Sequence, residues 1–502
     1  MGRSVNLRSL LLLALLPTVA ASAQVTLPKI LTSHMVVQRD LPVHVWGMAT
    51  PGEQISVTFR SETRSVMTGV LGRWSVYLSP GAAGGPFQLT VQGNASATDA
   101  ITLDDVLVGD VWLASGQSNM EFALRYAATG PADLSHSANT QIRLLLIKTH
   151  AAEYAQDEAV TDGWAVSSPE TAQDFSAVAW YFAREIEARE HVPVGVIDSS
   201  WGGTLAESWT RLAALGADAS LAPYIFSQGR MDDRQSTALL EEKYRQKLRD
   251  EAKAAGKPEP QFPWTPPLVN WAPSLIYNGM IAPLTPLPIR GVIWYQGESN
   301  SMIERQPALY HRLFRTLIED WRHQWAEGDF PFIFVQLANF KSSPTEDWAT
   351  LREQQLKTLD VSNTAMAVTI DIGNPDNVHP TDKLDVGLRL ALGARAISYG
   401  EDINYSGPIF RQAVPEGSAI RIWFDHHAKG LKAKGDELTG FEVAGEDGNF
   451  SPATAKIDGN TVVASSTSVP EPTQVRYGWA NSPQCNLYNG VDLPASPFTS
   501  VR

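Results

Sequence analysis

Ser118 is the residue whose surroundings most favour nucleophilic chemistry. It lies in residues 109–120, GDVWLASGQSNM, where an apolar run ends in a turn of small residues. A serine there is exposed at the carboxyl edge of a sheet, and the N–H groups at the start of a following helix stabilise an oxyanion beside it. The position also suits a helix N-cap, and the segment alone does not separate the two roles. The spacing differs from the G-x-S-x-G elbow, which disfavours an α/β-hydrolase.

His379 is the histidine best placed to act as the base for such a serine. It lies in residues 371–380, DIGNPDNVHP, where a predicted buried strand ends in a loop of Gly, Pro and Asn. Such loops commonly present catalytic groups. Asp376 is placed to hold Nδ1–H of the imidazole and leave Nε2 facing the serine. A D-x-x-H pair alone usually means a turn aspartate beside a surface histidine, but pairing with a strand-end serine favours a triad.

Two further strand ends supply polar groups for an oxyanion. Residues 200–204, SWGGT, contain paired glycines, which let a backbone N–H approach a ligand closely. Residues 294–300, WYQGESN, offer a side-chain amide and a carboxylate. Together the four segments predict a nucleophile, two oxyanion donors and a base, whereas each segment alone is weak evidence.

In this order the four segments resemble the SGNH hydrolases, and within them the sialate O-acetylesterase-like family of carbohydrate acetylesterases. The resemblance covers essentially the whole chain after residue 23. It includes residues 35–53, MVVQRDLPVHVWGMATPGE, and residues 476–489, RYGWANSPQCNLYN. It implies a three-layer α/β/α core with a parallel sheet, flanked by all-β sandwich modules at both ends of the chain.

The resemblance also implies roles for individual residues. Ser118 is the implied nucleophile, His379 the base and Asp376 its orienting partner. The backbone N–H groups of Ser118 and Gly203 are implied to form the oxyanion hole. Typical SGNH enzymes add an Asn side chain after the third strand, and Gln296 is the candidate substitute at that place.

Four other side chains are expected to contact the substrate or to support the site: Gln117, Asn119, Trp201 and Glu298. For Glu298 two roles stay open, since its carboxylate is placed either to orient His379 or to bind the substrate.

The implied reaction is acyl transfer in two steps. Ser118 attacks an acetyl carbonyl while His379 takes its proton, and the sugar hydroxyl leaves as His379 returns that proton. Water activated by His379 then hydrolyses the acetyl-serine intermediate. The mechanism needs no metal and no organic cofactor, and its partner is an acetylated carbohydrate.

Several alternatives remain open at this point. Both sialic acid and plant cell-wall polysaccharide such as xyloglucan or xylan fit the family, and flanking β modules favour the polymer. A carbohydrate-binding multidomain protein with an idle hydrolase site is a different class of function. A glycosidase using Glu298 and Asp376 as its carboxylate pair is another.

The composition excludes some partners. The chain has 502 residues and a net charge of −14, with 40 Lys+Arg against 54 Asp+Glu and no basic run. Nucleic-acid binding needs clustered Lys and Arg to neutralise phosphates, so a nucleic-acid partner is not expected. The 15 Trp residues are expected mostly in the core, with some available to stack on sugars.

Residues 1–23 have the features of a secretory signal peptide. Arg3 and Arg8 precede the apolar run of residues 10–16, and residues 21–23, ASA, form a cleavage site. After cleavage no membrane segment is expected, and the protein is predicted to be periplasmic or secreted in a bacterium.

Cys485 and the pair His426-His427 are interpreted as structural residues. Cys485 is the single cysteine, so no internal disulfide forms, and its Pro/Asn-rich surroundings favour a structural residue. His426-His427 is disfavoured as a metal pair because adjacent strand residues point to opposite faces.

The pattern of apolar residues divides the chain into three parts. Residues 24–104 predict a small β-sandwich, and residues 405–502 a second β module. Residues 105–404 alternate apolar strands with amphipathic helices, which predicts a doubly wound parallel sheet with its chemistry at the carboxyl ends of the strands. The five predicted strands are residues 106–108, 194–197, 291–294, 332–335 and 365–370.

An insertion of about 215–270 interrupts the catalytic part. It contains a charged helix predicted over 236–255, followed by a proline-rich stretch. Two roles for this insertion stay open: it either covers the active site or projects into solvent.

Overall fold

The computed structural model describes residues 24–94, 100–262 and 272–501, with the side chains of 227–240 left out. The predicted signal peptide and residues 263–270 of the predicted insertion lie outside the described residues. The strands are β1 (Val36–Gln38), β2 (Val43–Met48), β3 (Gln54–Phe59), β4 (Glu62–Met67), β5 (Arg73–Leu78), β6 (Gly84–Gly93), β7 (Ile101–Gly116), β8 (Asn139–Ile147), β9 (Thr161–Ser167), β10 (Val194–Ser200), β11 (Gly291–Tyr295), β12 (Phe332–Gln336), β13 (Thr364–Val368), β14 (Ile409–Glu416), β15 (Ala419–Asp425), β16 (Leu431–Ala433), β17 (Phe441–Ala444), β18 (Ser451–Pro452), β19 (Thr454–Asp458), β20 (Thr461–Ser465), β21 (Gln474–Tyr477), β22 (Leu487–Asn489) and β23 (Phe498–Thr499). The α-helices are α1 (Ser118–Glu121), α2 (Gly130–Leu134), α3 (Pro169–Ala172), α4 (Ala177–Glu190), α5 (Leu212–Ala217), α6 (Ala222–Ala254), α7 (Tyr310–Trp325), α8 (Trp348–Lys357) and α9 (Leu384–Ile397).

The main sheet has the strand order β13-β12-β11-β7-β10-β8-β9. Neighbouring strands from β13 to β8 are parallel, and only the pairing of β8 with the edge strand β9 is antiparallel. The five strands predicted from apolar runs all lie in this sheet, which confirms the predicted parallel α/β architecture. The sheet also contains β8 and β9, which were not predicted and which form one of its edges.

Helices cover both faces of the main sheet. Trp112 on β7 lies in register with Gly291 on β11, so Trp294, three residues further along, points to the opposite face. Trp112 packs edge-on against Phe182 of α4, whereas Trp294 stacks against Phe314 of α7. The helices α4 and α7 therefore lie on opposite faces, which gives the three-layer core. Both indoles are fully buried and pack inside these layers.

Strand β7 joins the N-terminal β module to the main sheet. Its first half pairs with β6 between Ile101 and Val108, and with β1 over Leu107–Gly109. Its second half pairs with β10 and β11 as far as Gly116. The predicted limit between residues 104 and 105 falls inside this single strand, so the two parts share β7 and each pairs with a different stretch of it.

The flanking parts are all-β. In the N-terminal part, β3 pairs with β4 and β6, and β2 pairs with β5. The C-terminal part has the four-stranded sheets β14-β15-β20-β19 and β18-β17-β21-β23, with β16 and β22 as a separate pair. Its own apolar core includes Ile422, Val443 and Val475.

The predicted insertion contains the long helix α6. It begins at Ala222 rather than at residue 236, because Pro223 stands in its first turn, where a proline costs no hydrogen bond. Among the helices of the described chain, none is long and apolar enough to span a membrane.

Candidate active site

Ser118 follows the carboxyl end of β7, at the centre of the main sheet. Gly116 ends the strand with φ +137, and a Cβ there would lie 2.1 Å from the carbonyl oxygen of Tyr295. Only glycine therefore fits this turn. Gln117 is the N-cap of α1, and its backbone N–H donates to the same Tyr295 carbonyl at 3.0 Å. Ser118 is thus the first residue of α1 and not its cap.

His379 meets Ser118 from the loop that follows β13. Its Nε2 lies 2.7 Å from Oγ of Ser118. Burial, and then the charge of Lys383, lowers the pKa of His379. A neutral imidazole accepts the Oγ–H proton at Nε2, which is the arrangement that activates a serine nucleophile.

The structure does not form the predicted bond between Asp376 and His379. The Asp376 side chain is 83% exposed, and Lys341 Nζ donates to it at 3.4 Å. Two side-chain turns set this loop: Asn374 Oδ1 accepts from the N–H of Asp376, and Asn377 Oδ1 accepts from the N–H of His379. In the described residues no carboxylate contacts Nδ1 of His379, so the observed arrangement is a serine–histidine pair.

The predicted oxyanion donor Gln296 is not turned toward Ser118. Its amide is fully buried, and Nε2 donates to Asn300 Oδ1 at 2.7 Å, Thr204 O at 3.1 Å and Gln117 Oε1 at 3.2 Å. These acceptors satisfy both amide hydrogens, because an amide has only two. In this structure Gln296 links the three loops that follow β7, β10 and β11.

Gly202, the first of the paired glycines after β10, lies against the serine. A Cβ on Gly202 would stand 3.3 Å from the Cβ of Ser118, and the N–H of Gly202 donates to Glu121 Oε2 at 2.6 Å. Gly203 follows with φ +73, a backbone conformation that favours glycine. The partly buried Trp201 anchors this loop, since its N–H donates to the carbonyl of Gly116 at 3.0 Å.

A buried polar network supports the pair from below. Asn119 Nδ2 donates to Glu298 Oε1 at 2.5 Å and to the carbonyl of Val378, next to His379, at 3.0 Å. Lys383 Nζ donates to Asn119 Oδ1 at 2.5 Å. Asn119 thereby ties the helix that carries the serine to the loop that carries the histidine.

The charges of this network are strongly perturbed by burial. Lys383 is fully buried, and burial lowers its pKa to about 7, against the opposing effect of Glu298. Burial raises the pKa of Glu298, and its Oε2 has no hydrogen-bond partner in the described residues. Glu298 therefore supports Asn119 and does not contact His379.

Two functional residues were not singled out from the sequence. Lys383 and Glu121 both stand inside segments that carry the family resemblance, DIGNPDNVHPTDK and GDVWLASGQSNMEF. Glu121 lies three residues after Ser118 in helix α1, a spacing that could have indicated it. Lys383 follows His379 in a loop before α9, where no periodic spacing marks it.

His426 and His427 do not lie on a strand, contrary to the prediction, because both residues follow the end of β15. His426 has φ +58, just past the end of β15, and packs edge-on against Tyr405. Across the described residues no group of three or more His, Cys, Asp or Glu side chains could hold a metal ion. Burial raises the pKa of the free Cys485 thiol to about 11, which makes it an inert packing residue.

Comparisons with known proteins find similar sequences and a similar solved structure. Residues 267–397 match the family model described as carbohydrate esterase, sialic acid-specific acetylesterase. Sialate O-acetylesterases of Rattus norvegicus and Homo sapiens are each 30% identical to the chain; the alignments cover 93% of this chain and 93% and 91% of those proteins. The crystal structure of a carbohydrate acetylesterase from Xanthomonas citri aligns with a TM-score of 0.82 and 38% identity, covering 95% of this chain and 99% of that one.

Replacing Lys383 with Met is expected to move the acid limb of the kcat/KM profile for p-nitrophenyl acetate to higher pH. As the predicted base, His379 must be neutral to act, so activity is expected to be lost as the pH falls through the pKa of that residue. Lys383 is charged in that range and lowers the pKa of His379, so removing the charge raises it. The profile is measured from pH 4 to 9 on a variant shown by circular dichroism to be folded.

Lys456→Met is the matched control, because Lys456 is exposed on β19 in the C-terminal β module, outside the main sheet. Its profile should equal that of the unmodified protein. An unshifted acid limb in folded Lys383→Met would contradict the assigned electrostatic role.

Proposed function

Because the chain belongs to the sialate O-acetylesterase family of carbohydrate acetylesterases, we propose that it removes O-acetyl groups from a plant cell-wall polysaccharide such as xyloglucan or xylan. It is a carboxylic ester hydrolase that acts on O-acetylated carbohydrate. The observation that carries the proposed reaction is the 2.7 Å contact between Ser118 Oγ and His379 Nε2. Sialic acid is the second candidate substrate, because the names of the curated relatives specify it.

The proposed reaction passes through an acetyl-serine. Oγ of Ser118 attacks the acetyl carbonyl carbon as its proton moves to Nε2 of His379. The tetrahedral intermediate collapses, the sugar oxygen leaves with that proton, and the acetyl group stays on Ser118. Water then gives its proton to His379 and attacks the ester, which releases acetate and restores the serine.

The proposed oxyanion donors are the backbone N–H groups of Ser118 and Gly203. The approach of the neighbouring Gly202 to Ser118 supports this placement, since it brings the glycine loop against Cβ of the serine. Gln296 remains a predicted third donor, which would have to give up one of its present acceptors.

Acetate release from acetylated xylan, acetylated xyloglucan and 9-O-acetyl sialic acid, compared at equal acetyl concentration, tests substrate and mechanism together. We expect the two polysaccharides to be the better substrates. Ser118→Ala should lower kcat by about 10⁴-fold or more on every substrate, because nucleophile and base act as one unit.

Acetate released from sialic acid alone would overturn the polysaccharide assignment but keep the esterase. Full activity of Ser118→Ala would overturn the acetyl-serine mechanism for all three substrates.

Asp376 is proposed to orient His379 once its carboxylate rotates from Lys341 to Nδ1. The side chain of Asp376 is exposed and its contact to Lys341 is long, so this ion pair contributes little free energy against the rotation. We then expect Asp376→Asn to lower kcat/KM about 10³-fold or more, because the imidazole loses the acceptor that fixes its tautomer.

Lys341→Ala is the control, since it removes only the competing partner and should change kcat/KM by less than about threefold. If Asp376→Asn also falls within threefold, the enzyme works with a serine–histidine dyad and the triad assignment is wrong.

We further propose that residues 1–23 direct export to the periplasm or medium. The remaining chain is proposed to comprise an N-terminal β module (24–104), a catalytic part (105–404) and a C-terminal β module (405–502). The composition of residues 1–23 supports export. Expression of the full chain in a Gram-negative host should give a periplasmic protein whose amino-terminal residue is Gln24. Recovery of the intact amino terminus from the cytoplasm would contradict export.

A further inference from the structure

A cleft of about 890 Å³ lies between the N-terminal β module and the main α/β layers. Strands β2 and β5 line one side, and the turn Tyr277–Ile281 with the segment before β11 lines the other. Since β11 is parallel to β7, that segment lies toward the amino ends of the strands, whereas Ser118 follows the carboxyl end. His44 of β2 contacts the carbonyl of Pro286, which precedes β11, so the five residues of β11 put this side of the cleft roughly 15 Å or more from the reacting serine, at ~3.3 Å per residue.

A stacked aromatic wall forms one side of this cleft. His44 and Trp46 share one face of β2, and His44 lies directly opposite Tyr77 of β5. The His44 ring centroid is 4.4 Å from that of Tyr77 and 4.6 Å from that of Trp46, and the rings are nearly parallel. Tyr77 is 58% exposed. An exposed aromatic face at the end of a rigid stack offers a flat apolar surface of the kind on which the C–H face of a pyranose ring packs.

One buried polar atom of this aromatic stack, Nε2 of His44, lacks a hydrogen-bond partner in the described residues. Nδ1 of His44 lies 2.9 Å from the carbonyl of Pro286, which can only accept, so Nδ1 carries the hydrogen. Burial lowers the pKa of His44, and Nε2 of the neutral ring is then an acceptor. The buried Nε2 is therefore an unpaired acceptor at the centre of the aromatic stack.

The charged residues of the cleft are satisfied within the protein. Arg73 pairs with Asp157, and Arg211 pairs with Asp320 through its Nε at 2.8 Å. Glu158 accepts from the backbone N–H of Lys29 at 3.2 Å. An anionic sugar would therefore have to break an existing ion pair, whereas a neutral sugar would not.

We propose that this cleft binds a neutral segment of the polysaccharide substrate, as a second carbohydrate site apart from Ser118 and His379. The choice of a polysaccharide rests on the proposed function, whereas the aromatic wall and the charge balance are independent of it. A second attachment point raises the local concentration of acetyl groups at the reacting serine.

Isothermal titration calorimetry with xylohexaose and cellohexaose, which carry no acetyl groups, tests the proposal on the Ser118→Ala variant of the full chain. At least one of the two should bind. Adding Tyr77→Ala should weaken that binding about tenfold or more, because the exposed stacking face is lost, while Tyr77→Phe should keep it within about twofold. Tyr244→Ala removes an exposed tyrosine of α6 outside the cleft and should leave binding unchanged.

No binding of either oligosaccharide, or binding that Tyr77→Ala leaves intact, would overturn the proposal. Tighter binding of N-acetylneuraminic acid than of both neutral chains would overturn the assigned ligand class. Turnover of p-nitrophenyl acetate by the Tyr77→Ala variant with Ser118 intact should equal that of the unmodified protein. If the unmodified protein did not hydrolyse p-nitrophenyl acetate, that result would contradict the proposed esterase activity but not the proposed carbohydrate site in the cleft.

Discussion

The structure depends on the pairing of one long strand, β7, on both of its edges. Every residue from Val106 to Gly116 is buried, and the strand belongs to the N-terminal ladder and to the main parallel sheet in turn. A strand held in this way has no freedom to shift register without breaking both ladders. The carbonyl of Tyr295 and the absent Cβ of Gly116 then set where the chain turns, so the location of Ser118 follows directly from strand pairing.

The second constraint is electrostatic. A buried ammonium is costly, and Lys383 is tolerated because Asn119 accepts from it and Glu298 lies on the other side of that amide. The same amide donates to the carbonyl of Val378, so the cost of burying charge is offset by fixing the histidine loop against the serine helix. Two charges of opposite sign, each shifted toward its neutral form, thereby hold the geometry that the catalytic pair requires.

The sequence predicted the strands that are buried on both faces, because continuous apolar runs of that kind are unambiguous in a parallel sheet. β8 was not predicted, since it begins with polar residues and carries Arg143, which is buried only because it pairs with Asp105 on β7. β4 was missed for a related reason: most of its side chains are exposed and polar, so no apolar pattern marks it.

The same limit applies inside the site. Sequence order showed which residues arrive at the carboxyl edge of the sheet, and the structure brings Ser118, His379 and the glycine loop together there. It did not show which acceptor each polar group finds. Gln296 turns to partners on three loops, and Asp376 turns to Lys341, a residue distant in sequence. Such choices depend on competition among neighbours that only the folded chain brings together.

The shared strand also has a consequence for how the protein can be divided. A fragment that begins at residue 105 would keep most of β7 but lose β1 and β6, the strands that pair with it at Leu107 and Val108. That fragment would present a bare strand edge with apolar side chains, which is a template for association with other chains. The α/β layers are therefore not a detachable unit. Loss of the N-terminal module would expose this strand edge and lower the solubility of the rest of the chain, so selection acts on the two parts together.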